Sequence, residues 1–276
     1  MIKRTFILTM LLGLVLVLGS GNSFAAKKKF KPYEGGAPGG GSLTGTVSYS
    51  GPSKDVTIDF TKFKNPEFCV THPDSDKANN KRIDHKIVAK GGKLKDAMVF
   101  IANIDKGKDW PVEKVQVNWK FCDIQPRMFA VRRTTKEIKK SKATTLLIEN
   151  HDQDIAHNPH GYISVKGKSP GTLFNKLMPS KGSTVDPTKT FKKFKRKKKH
   201  NHFFLQCDNH NFMETDGRIV WNPYYSATGA DGSYKIEGIP DGKYNVCAWH
   251  PHAGGNTDVC QEVEVKGASK ANFTVK

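Results

Sequence analysis

Long apolar runs are scarce in this 276-residue chain. The stretch from Phe6 to Leu18 is largely apolar, but its 13 residues fall short of the roughly 20 that cross a bilayer. It follows a short basic start and precedes Ser23-Phe24-Ala25, which has small residues at the two positions that a signal peptidase reads. Residues 1–25 are therefore predicted to be a cleaved signal peptide, with an uncleaved anchor as the alternative. We expect a periplasmic or secreted chain with no transmembrane segment after cleavage.

Acidic residues are also in short supply, with 26 Asp and Glu against 45 Lys and Arg, which gives a formal net charge of +19. In an exported protein this charge does not favour nucleic acid as the partner. It favours an acidic partner protein or the anionic surface of the cell envelope.

Cysteine is limited to five residues, and five is an odd number. An oxidising compartment favours disulfide pairing, so one thiol is expected to remain. A lone thiol in such a compartment is prone to oxidation unless a metal or a catalytic role holds it.

Motifs of hydrolytic enzymes are absent from the sequence. No serine stands in a nucleophile elbow, no H-E-x-x-H occurs, and no Gly-rich phosphate loop follows a strand. Oxidase activity is not expected either. We therefore expect a binding or carrier protein rather than an enzyme.

Helix signals are weak, and only residues 172–178 suggest a turn or two of helix. Residues 26–42 are basic and rich in Gly and Pro, which predicts a flexible leader. From Leu43 onward, short alternating or β-branched runs are bounded by turn residues, a pattern typical of sandwiches and barrels. These runs are residues 43–49, 97–104, 114–119, 144–149, 203–206, 217–221, 233–236, 243–249, 261–265 and 272–275. The chain is predicted to be all-β.

Two turn signatures, Asp231-Gly232 and Pro240-Asp241-Gly242, separate three of these runs and predict a meander. The meander resembles the second half of the carboxypeptidase regulatory-like domain, a small prealbumin-type β-sandwich. The first half of that pattern is matched by Gly45-Thr46-Val47 and Ala97-Met98-Val99, far upstream. This resemblance implies a split sandwich, residues 43–110 plus 223–276, with residues 111–222 inserted. One continuous larger β domain is the alternative.

The inserted region contains V-x4-F-x3-P at residues 117–126, then Asn150-His151-Asp152, then His157-Asn158-Pro159-His160, and finally C-x2-H-x2-M at residues 207–213. This order resembles the cupredoxins, and together with the flanking halves it resembles bacterial exported proteins described as plastocyanin-like. The resemblance implies a cupredoxin-like Greek-key sandwich that binds copper, and it covers most of the chain after Leu43. Asn211-Phe212 departs from the Pro-Trp that relatives often have, and Arg127 stands where relatives more often have His.

The residues themselves support a mononuclear copper site. Copper that cycles between Cu(I) and Cu(II) is suited by two imidazoles and a thiolate in a plane, with a thioether weakly on the axis. Cys207, His210 and Met213 lie within seven residues after a strand, so one loop can supply three ligands. His157 can supply the remote imidazole from a neighbouring loop, and Asn158 can tie the two loops together.

Alternatives remain open for each of these residues. Cys207 can be half of a disulfide, Met213 can be a core residue, and His160 or His151 can replace His157 as the remote ligand. Zinc is the alternative metal, although a zinc site more often adds a carboxylate, a histidine or a second thiolate than a methionine.

The other cysteines can pair without Cys207. Cys247 and Cys260 flank one predicted hairpin loop. For Cys69 and Cys122, the resemblance implies a disulfide, because related proteins carry cysteines in the same segments.

A basic run, FKKFKRKKKH at residues 191–200, precedes the cysteine strand. It is either a solvated loop or a docking patch that steers an acidic partner toward the copper loop.

The sequence therefore predicts an exported type 1 (blue) copper protein that transfers single electrons. A copper carrier or resistance protein is one alternative, and a structural or adhesive module that binds the envelope, with a vestigial metal site, is another.

Overall fold

The computed structural model describes residues 31–112, 114–165 and 168–276, and residues 31–276 form one compact unit. The predicted signal peptide lies outside the described residues. None of the helices in these ranges is long and apolar enough to cross a membrane.

The structure is mostly β. The strands are β1 Glu34–Gly36, β2 Gly41–Tyr49, β3 Asp55–Asp59, β4 Ser75–Asp76, β5 Lys81–His85, β6 Ala89–Lys90, β7 Lys93–Leu94, β8 Met98–Ile101, β9 Lys106–Lys108, β10 Val115–Trp119, β11 Ile124–Gln125, β12 Met128–Arg132, β13 Leu146–Asn150, β14 Pro159–Val165, β15 Lys168–Asn175, β16 Thr184–Val185, β17 His202–Cys207, β18 Glu214–Val220, β19 Tyr225–Ala227, β20 Ser233–Ile239, β21 Gly242–Trp249, β22 Val259–Val265, β23 Ala268–Lys270 and β24 Phe273–Val275. The helices are α1 Pro66–Cys69 and α2 Lys136–Ser141, with 3-10 turns at Phe60–Lys62, Thr188–Lys193, Arg196–Lys198 and Gly254–Asn256.

One sandwich is built from strands at both ends of the described chain, and we call it the split sandwich. Its sheets have the orders β20-β2-β7-β6, with β23 and β24 also paired to β2, and β19-β8-β21-β22. Alternating residues of β2, such as Leu43 and Val47, share a core with Val99 and Ile101 of β8 and with Val246 of β21. Inward apolar and outward polar alternation is what a two-sheet sandwich requires.

A second sandwich, which we call the insert sandwich, is built from strands that lie between the two halves of the first in sequence. Its sheets have the orders β11-β10-β13-β16 and β12-β18-β17-β14-β15. Val117 and Ile148 from one sheet share a core with Phe129, Phe203 and Leu205 from the other. The two sandwiches are joined by a smaller apolar cluster that includes Phe100, Met128 and Trp249.

Residues 55–85 leave the split sandwich and pack on the insert sandwich; we call them the cover segment. They contain the three-stranded sheet β3-β5-β4, one 3-10 turn and α1. Ile58, Phe60 and Cys69 of this segment belong to the core of the insert sandwich, although the sequence assigned residues 43–110 to the other sandwich.

Three local predictions are wrong. The predicted flexible leader is part of the fold from Glu34, because β1 pairs in parallel with β9 and β2 begins at Gly41. The predicted helical turn at residues 172–178 is largely strand β15, because pairing with β14 satisfies its backbone and buries Leu173 and Phe174.

The predicted meander is the third. The strands β20 and β21 lie in different sheets, so the Pro240 turn crosses between layers, and of the strands β19 to β22 only β21 and β22 form a hairpin. The Asp231-Gly232 turn has the predicted chemistry, with Gly232 at φ +71 and the Asp231 carboxylate accepting a hydrogen bond from the backbone N–H of Ser233 at 3.0 Å.

A buried carboxylate lies where the two sandwiches meet. Asp216 on β18 accepts hydrogen bonds from His202 at 2.5 Å and from His252 at 3.2 Å. His250, in the same loop as His252, is 4 % exposed. Burial is the main reason that the pKa of His250 is lowered to about 4, and the neighbouring His252 adds to the effect.

Candidate metal centre

The loop between β17 and β18 brings its own ends together. The backbone N–H of Cys207 donates to the carbonyl of Met213 at 3.0 Å, and the N–H of Met213 donates to the carbonyl of His210 at 2.8 Å. These bonds close the loop immediately after the last residue of β17. Cys207, His210 and Met213 have no exposed surface.

His157 reaches the same place from the loop between β13 and β14. Its backbone forms an antiparallel bridge with Met178, with N···O distances of 2.9 and 2.8 Å. The pairing of β14 with β17 places Pro159 opposite Cys207, so His157 arrives beside the thiol. The ring of Trp119 packs edge-on against the His157 imidazole at 5.4 Å.

The three donor groups form a tight cluster. The Cys207 Sγ atom lies 3.7 Å from Nδ1 of His157 and 3.8 Å from Nδ1 of His210. One donor atom from each of the three residues lies within 4.8 Å of the others, and all three residues are buried. An ion between them would be bound by two imidazoles and one thiolate in a site closed to water.

Asp152 fixes the orientation of His157. Its carboxylate, 1 % exposed, is the partner of His157 Nε2 at 2.9 Å. The same carboxylate accepts backbone N–H bonds from Phe121 at 2.5 Å and Cys122 at 3.0 Å. Because the Nε2–H group of His157 donates to the Asp152 carboxylate, Nδ1 carries no proton and faces the sulfur.

Two opposing effects act on the Cys207 thiol. Burial raises its pKa, but hydrogen bonds with His157 and His210 and from the backbone N–H of Asn158 outweigh burial and lower the pKa to about 6. For His157, burial lowers the pKa, but the hydrogen bonds with Asp152 and Cys207 raise the pKa by more than burial lowers it. The net shift of the His157 pKa is therefore upward. The site therefore favours a thiolate, which is the form of cysteine that binds metals.

The structure separates His157 from the other two candidates for the remote ligand. His160 is engaged by Asp208 at 3.0 Å and by Thr172 at 3.0 Å, and its ring stacks on Tyr162. His151 contacts Asn118 at 2.9 Å and is partly exposed. In the described residues, neither of them belongs to a group that could hold a metal ion.

Asn158 ties the two loops together through its backbone. Its N–H donates to Cys207 Sγ at 3.4 Å, and its carbonyl accepts from the N–H of Asp208 at 3.1 Å. The side-chain oxygen of Asn158 is buried without a partner in the described part of the chain.

The structure pairs Cys69 with Cys122 and Cys247 with Cys260, and leaves Cys207 as the free cysteine. Cys247 and Cys260 lie opposite each other in the β21–β22 hairpin. The Cys69–Cys122 disulfide lies against the loop from Cys207 to Met213, which we call the metal loop: its sulfur atoms and a ring nitrogen of His210 are within 4.8 Å of one another.

Aromatic residues close the site above His210. Phe212 of the metal loop packs against Phe60 at 5.5 Å and Phe63 at 4.8 Å, both from the cover segment. Sequence reasoning missed this cover and the role of Asp152. The Asp152 signal was present in the Asn150-His151-Asp152 motif, whereas nothing local marked the cover segment.

The donor set fits copper. Two imidazoles and one thiolate with a buried methionine in the same loop are the ligands of a type 1 site. A closed zinc site would require a fourth imidazole, carboxylate or thiolate donor. The group contains none in the described residues, because Asp152 bonds the far nitrogen of His157.

The basic run lies at the other end of β17 from Cys207. Phe191 and Phe194 are buried in the core and stack at 4.9 Å, while the lysines between and after them are exposed. β17 begins at His202 and ends at Cys207, so its ends are roughly 17 Å apart at about 3.3 Å per residue.

No family model matches the chain, and no curated protein matches it. The structure is similar to a copper-containing nitrite reductase (NirK) from Thermus scotoductus SA-01, with a TM-score of 0.26 and 16 % sequence identity. The similarity covers 44 % of this chain and 25 % of that one, so the chain spans about a quarter of the length of the reductase.

Proposed function

We propose that this protein binds one copper ion in a cupredoxin-like insert sandwich and transfers single electrons. The observation that carries this proposal is the position of Cys207, the unpaired cysteine, with its sulfur 3.7 and 3.8 Å from the Nδ1 atoms of two buried histidines. Apolar residues would stabilise the core better than a buried, ionised thiol and two imidazoles. A functional role therefore explains these three residues better than a structural one.

Each residue has a defined role in this proposal. Cys207, His157 and His210 would hold the metal, and Met213 would supply a weak thioether donor. Copper bound there would supply a one-electron Cu(I)/Cu(II) couple. Asp152 and the Asn158 backbone keep His157 and the Cys207 sulfur in place, and burial excludes water. A ligand set fixed in this way changes little between oxidation states, which is what rapid electron transfer requires.

Copper loading tests the proposal directly. Adding Cu(II) to the purified chain should produce an intense visible band from thiolate-to-copper charge transfer. Cys207→Ser should abolish the band, and the matched variant His151→Ala should retain it. A colourless complex in the wild-type protein, with zinc bound in preference to copper, would contradict the electron-transfer function.

A copper carrier would use the same site without redox cycling. A redox titration distinguishes the two functions, because an electron carrier must show a reversible one-electron transition and a carrier need not. A structural or adhesive module with a vestigial metal site is the third candidate. It predicts that Cys207 is disulfide-bonded, and peptide mapping under non-reducing conditions tests this.

The proposed setting is the periplasm or the exterior, from the signal-like sequence of residues 1–25. The proposed partner is an acidic redox protein such as a c-type cytochrome, or an anionic envelope surface, attracted by the excess of Lys and Arg over Asp and Glu. The basic run would attract a partner at a distance but would not contact it at the metal loop, because the run ends one strand length from Cys207.

A further inference from the structure

The Cys69–Cys122 disulfide lies beside the candidate metal centre. Both cysteines have no exposed surface. Their sulfur atoms and a ring nitrogen of His210 lie within 4.8 Å of one another, which is the same spacing that groups His210 with His157 and Cys207. His210 therefore stands between two sets of sulfur and nitrogen donors.

The two ring nitrogens of His210 have different surroundings. Nδ1 lies 3.8 Å from the Cys207 sulfur, whereas Nε2 is buried and has no hydrogen-bond partner among the described residues. A buried polar atom left without a partner destabilises the folded state, so such atoms call for an explanation. A second ligand for the imidazole is one.

A buried cation lies beside the same disulfide. Arg82 is 3 % exposed, and its Nη2 approaches the Cys122 carbonyl at 3.4 Å and the Asp123 carboxylate at 3.5 Å. Its Nε and Nη1 atoms are buried without a partner in the described part of the chain. Positive charge with unused donors is suited to a neighbour that becomes negative.

We propose that Cys69, Cys122 and His210 form a second site, which binds Cu(I) when the disulfide is reduced. A dithiol reductant would supply two electrons and two protons, becoming a disulfide while Cys69 and Cys122 become thiols. Cu(I) then displaces the two thiol protons and binds two thiolates and one imidazole, a soft donor set that suits this ion. Two thiolates and one Cu(I) leave one negative charge, which Arg82 offsets.

This second site does not depend on the function proposed for Cys207. It forms from residues that the disulfide already holds at binding distance, and it is closed while the disulfide is intact. The same chain would therefore hold one copper ion in its oxidised state and a further one after reduction, when His210 would bind one ion through each ring nitrogen and release its ring proton.

The test uses Cys207→Ser, which removes the thiolate of the first site. Its matched control is Cys207→Ser with Cys69→Ser and Cys122→Ser; both proteins keep Cys247 and Cys260. Each is treated with a reductant, its free thiols are counted by alkylation and mass spectrometry, and its fold is checked by near-ultraviolet circular dichroism. Cu(I) is then titrated in competition with a chromophoric Cu(I) chelator.

The expected result is one more tightly bound Cu(I) in reduced Cys207→Ser than in the reduced control, and no such difference between the oxidised proteins. Adding His210→Ala to Cys207→Ser should weaken this extra binding by at least about tenfold.

Equal Cu(I) binding by the two reduced proteins, with Cys69 and Cys122 alkylated as free thiols, would overturn the proposal. So would a disulfide that stays intact under every reducing condition in which the fold survives. Neither result bears on the visible band of the oxidised wild-type protein, so the two proposals can fail separately.

Discussion

The Nε2 atom of His157 lies 2.9 Å from the carboxylate of Asp152, and both side chains are buried. The carboxylate also accepts the backbone N–H groups of Phe121 and Cys122, so it fastens the imidazole to the loop that carries the disulfide. The site is thus held in shape by bonds that exist without the metal. Such preorganisation is what distinguishes a metal centre from a chance group of donors.

Replacing Asp152 should weaken copper binding. In Asp152→Asn the group that orients His157 loses its charge, and the copper affinity should fall by about 10–100-fold. Competition with a chelator measures the affinity. Asp154→Asn, in the same loop but exposed, is the control and should bind copper as the wild-type protein does. Equal affinities in the two variants would show that the carboxylate has no part in the site.

The three histidines of this region should differ sharply in their contribution to the visible band. His157→Ala removes a donor 3.7 Å from the thiol and should abolish or strongly shift the band. His160→Ala and His151→Ala remove rings that bond elsewhere and should leave it unchanged. Absorption and electron paramagnetic resonance spectra of the copper-loaded variants measure this. A band lost in His160→Ala and kept in His157→Ala would reverse the assignment of the remote ligand.

The Cys207 thiol should ionise at an unusually low pH in the metal-free protein. Its pKa is lowered to about 6, against an ordinary value of 9.0, so the thiolate should predominate above pH 6 and be lost below it. The ultraviolet absorbance of the thiolate, taken as the difference between wild-type protein and Cys207→Ser, should titrate with a midpoint near 6. A midpoint near 9 would mean that the two imidazoles do not stabilise the thiolate.

His250 should make the fold sensitive to acid. Its pKa is lowered from 6.5 to about 4 by burial, so between these values the unfolded chain binds the proton that the folded chain excludes. The resulting contribution is intact above pH 6.5, and the free energy of unfolding should decline as the pH falls from 6.5 to 4. The decline reaches about 3 kcal/mol, at 1.36 kcal/mol per pKa unit.

Urea unfolding at a series of pH values tests this. His250→Gln should be less dependent on pH across the window from 6.5 to 4, while the exposed control His85→Gln should follow the wild-type curve. Parallel curves for all three proteins would show that His250 is protonated without penalty in the fold.

The strands were largely predictable because each is a short run whose own alternation or β-branching indicates a sheet. Residues 43–49 and 243–249, for example, lie within β2 and β21. The cover segment was not predictable in this way. Phe60 and Cys69 are buried by Phe212 and Cys122, which are distant in sequence, and no local pattern records such a contact.

The metal loop was readable for the opposite reason. Cys207, His210 and Met213 lie in one short loop, so their spacing alone restricts their geometry. The remote imidazole depends on which residue of β14 lies opposite Cys207, and that register comes from the pairing of two strands. A shift of two residues would bring a different side chain beside the thiol. The sequence alone therefore does not distinguish His157 from His151 and His160 as the remote ligand.

The arrangement of the split sandwich determines the order in which its strands can pair during synthesis. β2 pairs with β20, β23 and β24, all of which the ribosome makes after the entire insert sandwich. Until residue 233 emerges, most of the hydrogen-bonding groups of β2 have no strand to meet, and an unpaired strand edge invites association with other chains. A nascent chain arrested before that point would hold every proposed copper ligand and still be an aggregation hazard. Closing the split sandwich is therefore the late step on which the solubility of the newly made protein depends.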